Sequence, residues 1–110
     1  MGALPATALA TMPTVRRAKA IYRITYPNGK IYIGMDLTGT LTYFGSPSSE
    51  YIAQDFTLEQ RQDFTIRKQI LWESETATDS DVRAEEVRQI RGHRSNDPAV
   101  GYNRWPRLRP

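Results

Sequence analysis

The sequence predicts a small α+β domain, and three observations carry that reading. Two runs rich in β-branched and aromatic residues, within Ala20 to Met35, flank Pro27-Asn28-Gly29, which is hairpin punctuation. A third run alternates Phe64, Ile66, Lys68, Ile70 and Trp72 against Thr65, Arg67, Gln69 and Leu71, the period of a strand half covered by helices. Thr78-Asp79-Ser80-Asp81 then offers a cap, and acids for the positive end of a helix that runs to about Arg91 and stops near Gly92.

The hairpin loop decides which side chains share a face. A two-residue Asn28-Gly29 turn pairs Tyr26 with Ile31 and separates Tyr22 from Tyr32. A three-residue loop, with Pro27 and Asn28 in a type I turn and Gly29 in the left-handed bulge position, pairs Tyr26 with Lys30, Ile24 with Tyr32 and Tyr22 with Gly34. Proline favours the first central position because its φ is already fixed there, so the second register is expected, with both tyrosines on one face. Asp36 to Thr42 reads as a loop. Ser46 and Pro47 then make an N-cap and first helical residue for a helix carrying Tyr51, Ile52 and Phe56 inward and fraying before Asp63.

A chain of 110 residues has room for one modest core. Residues 1–19, rich in Ala, Thr and Pro and without acids, read as a flexible arm; residues 20–105 form the domain, and 106–110 a short basic tail. With no cysteine and His93 as the one histidine, thiolate and poly-imidazole metal sites are excluded, which leaves a hard cation such as Mg²⁺ on oxygen ligands. No run approaches the roughly 18 apolar residues of a membrane span, so a soluble, cytoplasmic protein is expected. Net charge is +3, concentrated near both ends: Arg16, Arg17 and Lys19 before the first strand, and Arg91, His93, Arg94, Arg104, Arg107 and Arg109 at or after the last helix. This suits a polyanion partner, although charge runs are also commonly just solvated.

On the last helix, at roughly 100° per residue, Val82, Ile90 and Val87 fall at about 0°, 80° and 140° and Glu86 at about 40°, inside the apolar stripe, while Glu85 points away. A carboxylate there needs an arginine such as Arg23 or Arg67, or a cation. Tyr22, Ile24, Tyr26, Lys30 and Tyr32 make either a packed aromatic face or, with Glu86, the base, phosphate neutraliser and cation site of a phosphodiester hydrolase.

Ala20-Ile21-Tyr22, nine intervening residues and then Tyr32-Ile33-Gly34 resemble the paired signature of the GIY-YIG endonuclease superfamily, with alanine for the first glycine. Glu86 with Ile90, and Gly101-Tyr102-Asn103, are similar to its later motifs. Tyr43-Phe44-Gly45-Ser46, and Asp63-Phe64 with Ile70-Leu71, resemble the spacing in phage-type and homing-type members. The resemblance implies a three-stranded antiparallel sheet flanked by helices and a metal-dependent DNA endonuclease or nickase. Tyr22 or Tyr32 would activate water, with Lys30 lowering the phenol's pKa; Glu86 would hold one Mg²⁺ or Mn²⁺, and Asn103 would help order the site. The family's phosphate-binding arginine on the helix after the second motif has no counterpart between Ser46 and Phe56. Arg23, Arg61 or Arg67 would replace it, or Ser46 and the helix N-terminus would cradle the phosphate. Otherwise the chain is a catalytically weakened DNA-binding module. Arg16, Arg17, His93, Arg94 and Arg104 are further candidates for DNA contact. A domain this short would draw sequence specificity from a homodimer or a partner protein.

Overall fold

The computed structural model describes residues 18–45, 47 and 49–109, so Arg16, Arg17 and Ser46 lie outside the described residues, as does most of the expected arm. Its elements are β1 (Lys19–Thr25), β2 (Ile31–Asp36), α1 (Ser49–Gln54), α2 (Leu58–Gln62), β3 (Arg67–Ser74) and α3 (Asp79–His93). The strands form one antiparallel sheet in the order β2-β1-β3. Among the described residues no helix is long and apolar enough to cross a membrane.

The hairpin adopts the three-residue loop. Tyr26 N–H donates to Lys30 O and Gly29 N–H to Tyr26 O, both at 2.9 Å, and Gly29 takes φ +84°. Ile24 faces Tyr32 and Tyr22 faces Gly34, so both tyrosines stand on one side of the sheet. A Cβ at position 34 would overlap the Tyr22 ring; glycine there lets the ring lie flat across β2.

Two expectations are corrected. The third strand begins at Arg67 rather than Phe64, and a β-bulge opposite Ile21 and Tyr22 breaks its alternation: Ile70 pairs with Tyr22 but Trp72 pairs with Ile21. The extra residue sends Trp72 to the opposite face, where it packs beside Leu71. The single helix expected after Pro47 is two short ones, because Thr57 and Gln60 form a reciprocal capping box that starts a new helix. Ile52 and Phe56 still face the sheet, whereas Tyr51 is exposed. The last helix is as expected: it opens on Thr78, with a Thr78–Asp81 capping box, and ends at His93, beside the expected stop at Gly92, closed by Arg94 in the left-handed conformation at φ 58°.

The sheet separates two cores. Against α3, Ile21, Ile33, Val82 and Ile90 are buried together. On the other face Tyr22, Ile24, Tyr26, Phe56 and Tyr102 form an aromatic cluster. Lys19 joins β1 to the start of α3 through Ala77 O at 3.0 Å and Asp79 at 2.8 Å.

The outer edge of β2 is covered by the segment after α3. Ile31 N–H donates to Val100 O at 3.1 Å and Tyr102 N–H to Ile31 O at 2.9 Å, a parallel bridge between Ile31 and Gly101. Position 101 must be glycine: a Cβ would lie 2.5 Å from Ile31 O and 2.6 Å from Ser95 O. One residue pair further on, a side chain replaces the backbone. Asn103 Oδ1 accepts from Ile33 N–H, and its Nδ2 donates to Ile33 O, both at 2.8 Å. An open strand edge is thereby closed to other chains.

Candidate active site

The same edge orients Glu86. Beyond Ile31 and Ile33, the next outward N–H on β2 belongs to Met35, close enough to the Glu86 carboxylate to favour its ionised form. Val100 and Asn103 thus take up two successive outward donors of β2, and Glu86 lies beside the third. Glu86 lies between Val82 and Ile90 around the helix, yet it is only half-buried, whereas those neighbours are sealed. A half-exposed residue in the middle of a buried stripe faces a cleft. That cleft, about 240 Å³, is lined by Tyr32, Glu86, Asn103, Arg104 and Trp105, with Ile90, Tyr102 and Pro47 behind them.

Glu85 is corrected. It is one of the most buried carboxylates described, at 6 % exposure, and does not point away. Its own helix neutralises it: Arg88 reaches Oε1 at 2.8 Å and Gln89 Nε2 reaches Oε2 at 2.8 Å. Local pairing at three and four residues' distance explains its burial without a metal ion. Glu86 has less help. Desolvation pushes its pKa up, opposed by the charge of Arg83 and the Met35 N–H.

Tyr22 is fully buried, and among the described residues its hydroxyl has no hydrogen-bond partner. Gly45 crosses over that hydroxyl and also touches Tyr32. Desolvation, reinforced by Tyr32, Tyr43, Asp36 and Glu86, drives the Tyr22 phenol far above its ordinary value, so it stays protonated at neutral pH. The cation beside it is Lys68, not Lys30. Lys68 Nζ lies 4.6 Å from the Tyr22 ring centroid and donates to Leu41 O and Tyr43 O. Burial pushes the Lys68 amine down, with Asp36 opposing.

The remaining sequence candidates disperse. Lys30 pairs with Asp55 at 3.0 Å at the hairpin end. Arg23 bonds Gln69 at 3.1 Å on the sheet face opposite Tyr22, and Arg67 pairs with Thr25 in that same register. Arg61 donates to Ala53 O at 2.6 Å beside an apolar groove. The His93 ring contacts Gln89 O at 2.9 Å, and Arg94 pairs with Asp97 at 3.0 Å. Of all the basic candidates placed by the structure, Arg104 alone lines the cleft with Glu86. Trp105 is 70 % exposed at the cleft rim, whereas Tyr102 is buried and anchors the segment.

Sequence reasoning passed over the polar network around Tyr102. Its hydroxyl donates to Asp55 Oδ2 at 2.7 Å and accepts from Asn28 Nδ2 at 2.9 Å. Burial and the Asp55 carboxylate raise the Tyr102 phenol to about 12, while the Tyr102 and Lys30 donors lower Asp55. It also passed over Asp36, which is buried and accepts from Thr38 N–H at 2.9 Å and Thr40 N–H at 2.7 Å. The Asp-x-Thr-x-Thr spacing at a strand end was the available signal.

The described residues contain no group of three or more His, Cys, Asp or Glu suited to a metal. A cation at Glu86 would take one carboxylate from this chain and its other oxygens from water and a phosphate, which is how Mg²⁺ is commonly held. A desolvated carboxylate at an open cleft fits that demand. No family model, no curated protein and no solved structure matches the chain.

Proposed function

We propose that the chain hydrolyses phosphodiester bonds of DNA at the Glu86 cleft, as a metal-dependent endonuclease or nickase resembling the GIY-YIG type. The observation that carries this is the convergence of Tyr32, Glu86, Asn103 and Arg104 on one cleft. Glu86 would hold one Mg²⁺ or Mn²⁺, which supplies charge neutralisation at the scissile phosphate. Arg104 pairs with non-bridging phosphate oxygens, the role for which a planar guanidinium is suited. Tyr32, as the phenolate favoured by a nearby cation, would take the proton of the attacking water, directly or through a second water, and become the phenol. Tyr22, held protonated, braces the Tyr32 side of the cleft, and Asn103 fixes the β2 edge on which Tyr32 stands. Cytoplasmic DNA is the substrate, with a second copy or another protein supplying sequence specificity.

The test is nicking of supercoiled plasmid in Mg²⁺ or Mn²⁺. Glu86→Gln, which keeps the side chain's size and removes its charge, is expected to lose activity by roughly 100-fold or more, and Arg104→Ala by a comparable factor. Wild-type cleavage no greater than that of Glu86→Gln removes the proposal.

A second reading, DNA binding without efficient cleavage, draws on the sealed Tyr22 hydroxyl and on Lys30 being held by Asp55. Its mark is salt-sensitive DNA affinity, unchanged in Glu86→Gln, with no cleavage in either metal.

A further inference from the structure

A larger cleft, of about 600 Å³, adjoins the first and shares Tyr102, Asn103 and Arg104 with it. Its volume falls in the range of clefts that enclose a small organic ligand. Lys30, Tyr51, Asp55, Tyr102, Arg104 and Arg107 are among its lining residues. Three of these are cations and one is a carboxylate, and Asp55 is already engaged by Lys30 and the Tyr102 hydroxyl. The lining therefore favours an anion.

Tyr51 gives the cleft a second property. It leaves 47 % of its surface exposed on α1, and the Arg104 guanidinium lies over its ring with Cζ 4.5 Å from the centroid. An exposed tyrosine held beneath an arginine is a flat platform. Arginine in this position stacks through its plane and still donates through its edge, so one side chain can meet a phosphate in the first cleft and a π-face in the second. Tyr51 itself is used neither by the Glu86 chemistry nor by the packing of the aromatic core.

We propose that the second cleft receives the unstacked nucleobase next to the scissile phosphate, stacked on the Tyr51–Arg104 pair, so that the preferred DNA substrate has a single-stranded or frayed nucleotide at that position. This rests on the reading of the first cleft as a phosphodiester site, and it adds a substrate form to that reading. A fully paired duplex keeps its bases within the helix and gains nothing from the platform. Stacking on an aromatic side chain tolerates any base, so no sequence preference arises here.

The experiment measures binding of a short single-stranded oligonucleotide carrying one 2-aminopurine, without divalent metal, alongside an intact duplex of the same length. Wild type should quench the fluorophore, and Tyr51→Leu should weaken single-strand affinity roughly ten-fold while leaving duplex affinity unchanged. Tyr51→Phe should retain both the affinity and the quench. Because Tyr51 is outside the buried core, circular dichroism of the variant should match wild type. Equal single-strand affinity in wild type and Tyr51→Leu overturns the proposal, as does an equal loss for duplex and single strand. Plasmid nicking by Glu86→Gln and Tyr51→Leu separates the two claims. Nicking that needs Glu86, with single-strand binding indifferent to Tyr51, removes the base platform and leaves the nuclease. A Tyr51-dependent quench without nicking by wild type keeps the platform and removes the nuclease.

Discussion

The two faces of the sheet solve different problems. Against α3 the contacts are aliphatic, Ile21 and Ile33 on Val82 and Ile90, and the one buried carboxylate of that helix is matched by Arg88 and Gln89. On the opposite face the core is aromatic and carries polar atoms: a Tyr22 hydroxyl with no partner among the described residues, and a Tyr102 hydroxyl shared by Asp55 and Asn28. The first face is arranged for stability. The second face and the β2 edge between them hold groups whose burial costs free energy, the pattern expected where function competes with folding.

That contrast predicts a graded series. Ile33→Ala, which empties a fully buried site under α3, should destabilise by about 2–5 kcal/mol in urea unfolding; a smaller loss than for any aromatic-face variant breaks the comparison. Asn103→Leu should lose about 2 kcal/mol, since Ile33 N–H and C=O are both left without partners. Asn103→Asp, which keeps only the acceptor, should fall between. Tyr22→Phe should leave stability unchanged or raise it by about 1 kcal/mol, because it removes an unpartnered buried hydroxyl; a marked loss in thermal unfolding would reveal a hidden partner.

The smallest effect concerns pH. Glu86 has its folded pKa raised, so its contribution to stability is complete below the unfolded value, about 4.3, and is lost as pH rises through the folded value. Glu86→Gln should match wild type in acid and become relatively more stable toward neutral pH. Mg²⁺ should close that gap by stabilising wild type alone.

Much of the frame was legible because local chemistry dictates it. Pro27-Asn28-Gly29 sets the turn and through it the tyrosine face, and Thr78 with Asp81 sets the start of α3. What was not legible depends on contacts distant in sequence. The bulge opposite Ile21 exists only when β1 meets β3, so the alternation through Trp72 could not show it. Glu85 was misplaced because a helical wheel weighs apolar residues and does not see that Arg88 and Gln89 can carry a carboxylate inward. Asn103 and Arg104 lie on irregular chain without a period; only the resemblance flagged Asn103, and only the docking of Gly101 against Ile31 brings both to Glu86. Arg104 had read as one basic residue among several.

The docking of that segment also separates the lifetime of the site from the lifetime of the fold. Asn103 grips Ile33 across 70 positions of sequence, through two side-chain hydrogen bonds rather than through a continuous ladder. Release of residues 100–104 would open both clefts and uncover the β2 edge while the strand pairing and the α3 core persist, a local opening of the kind that hydrogen exchange resolves from global unfolding. The molecule could then be folded and yet have neither cleft, for a fraction of time set by the few contacts that dock this segment: the Asn103 amide, the Ile31 bridge and the Tyr102 hydroxyl.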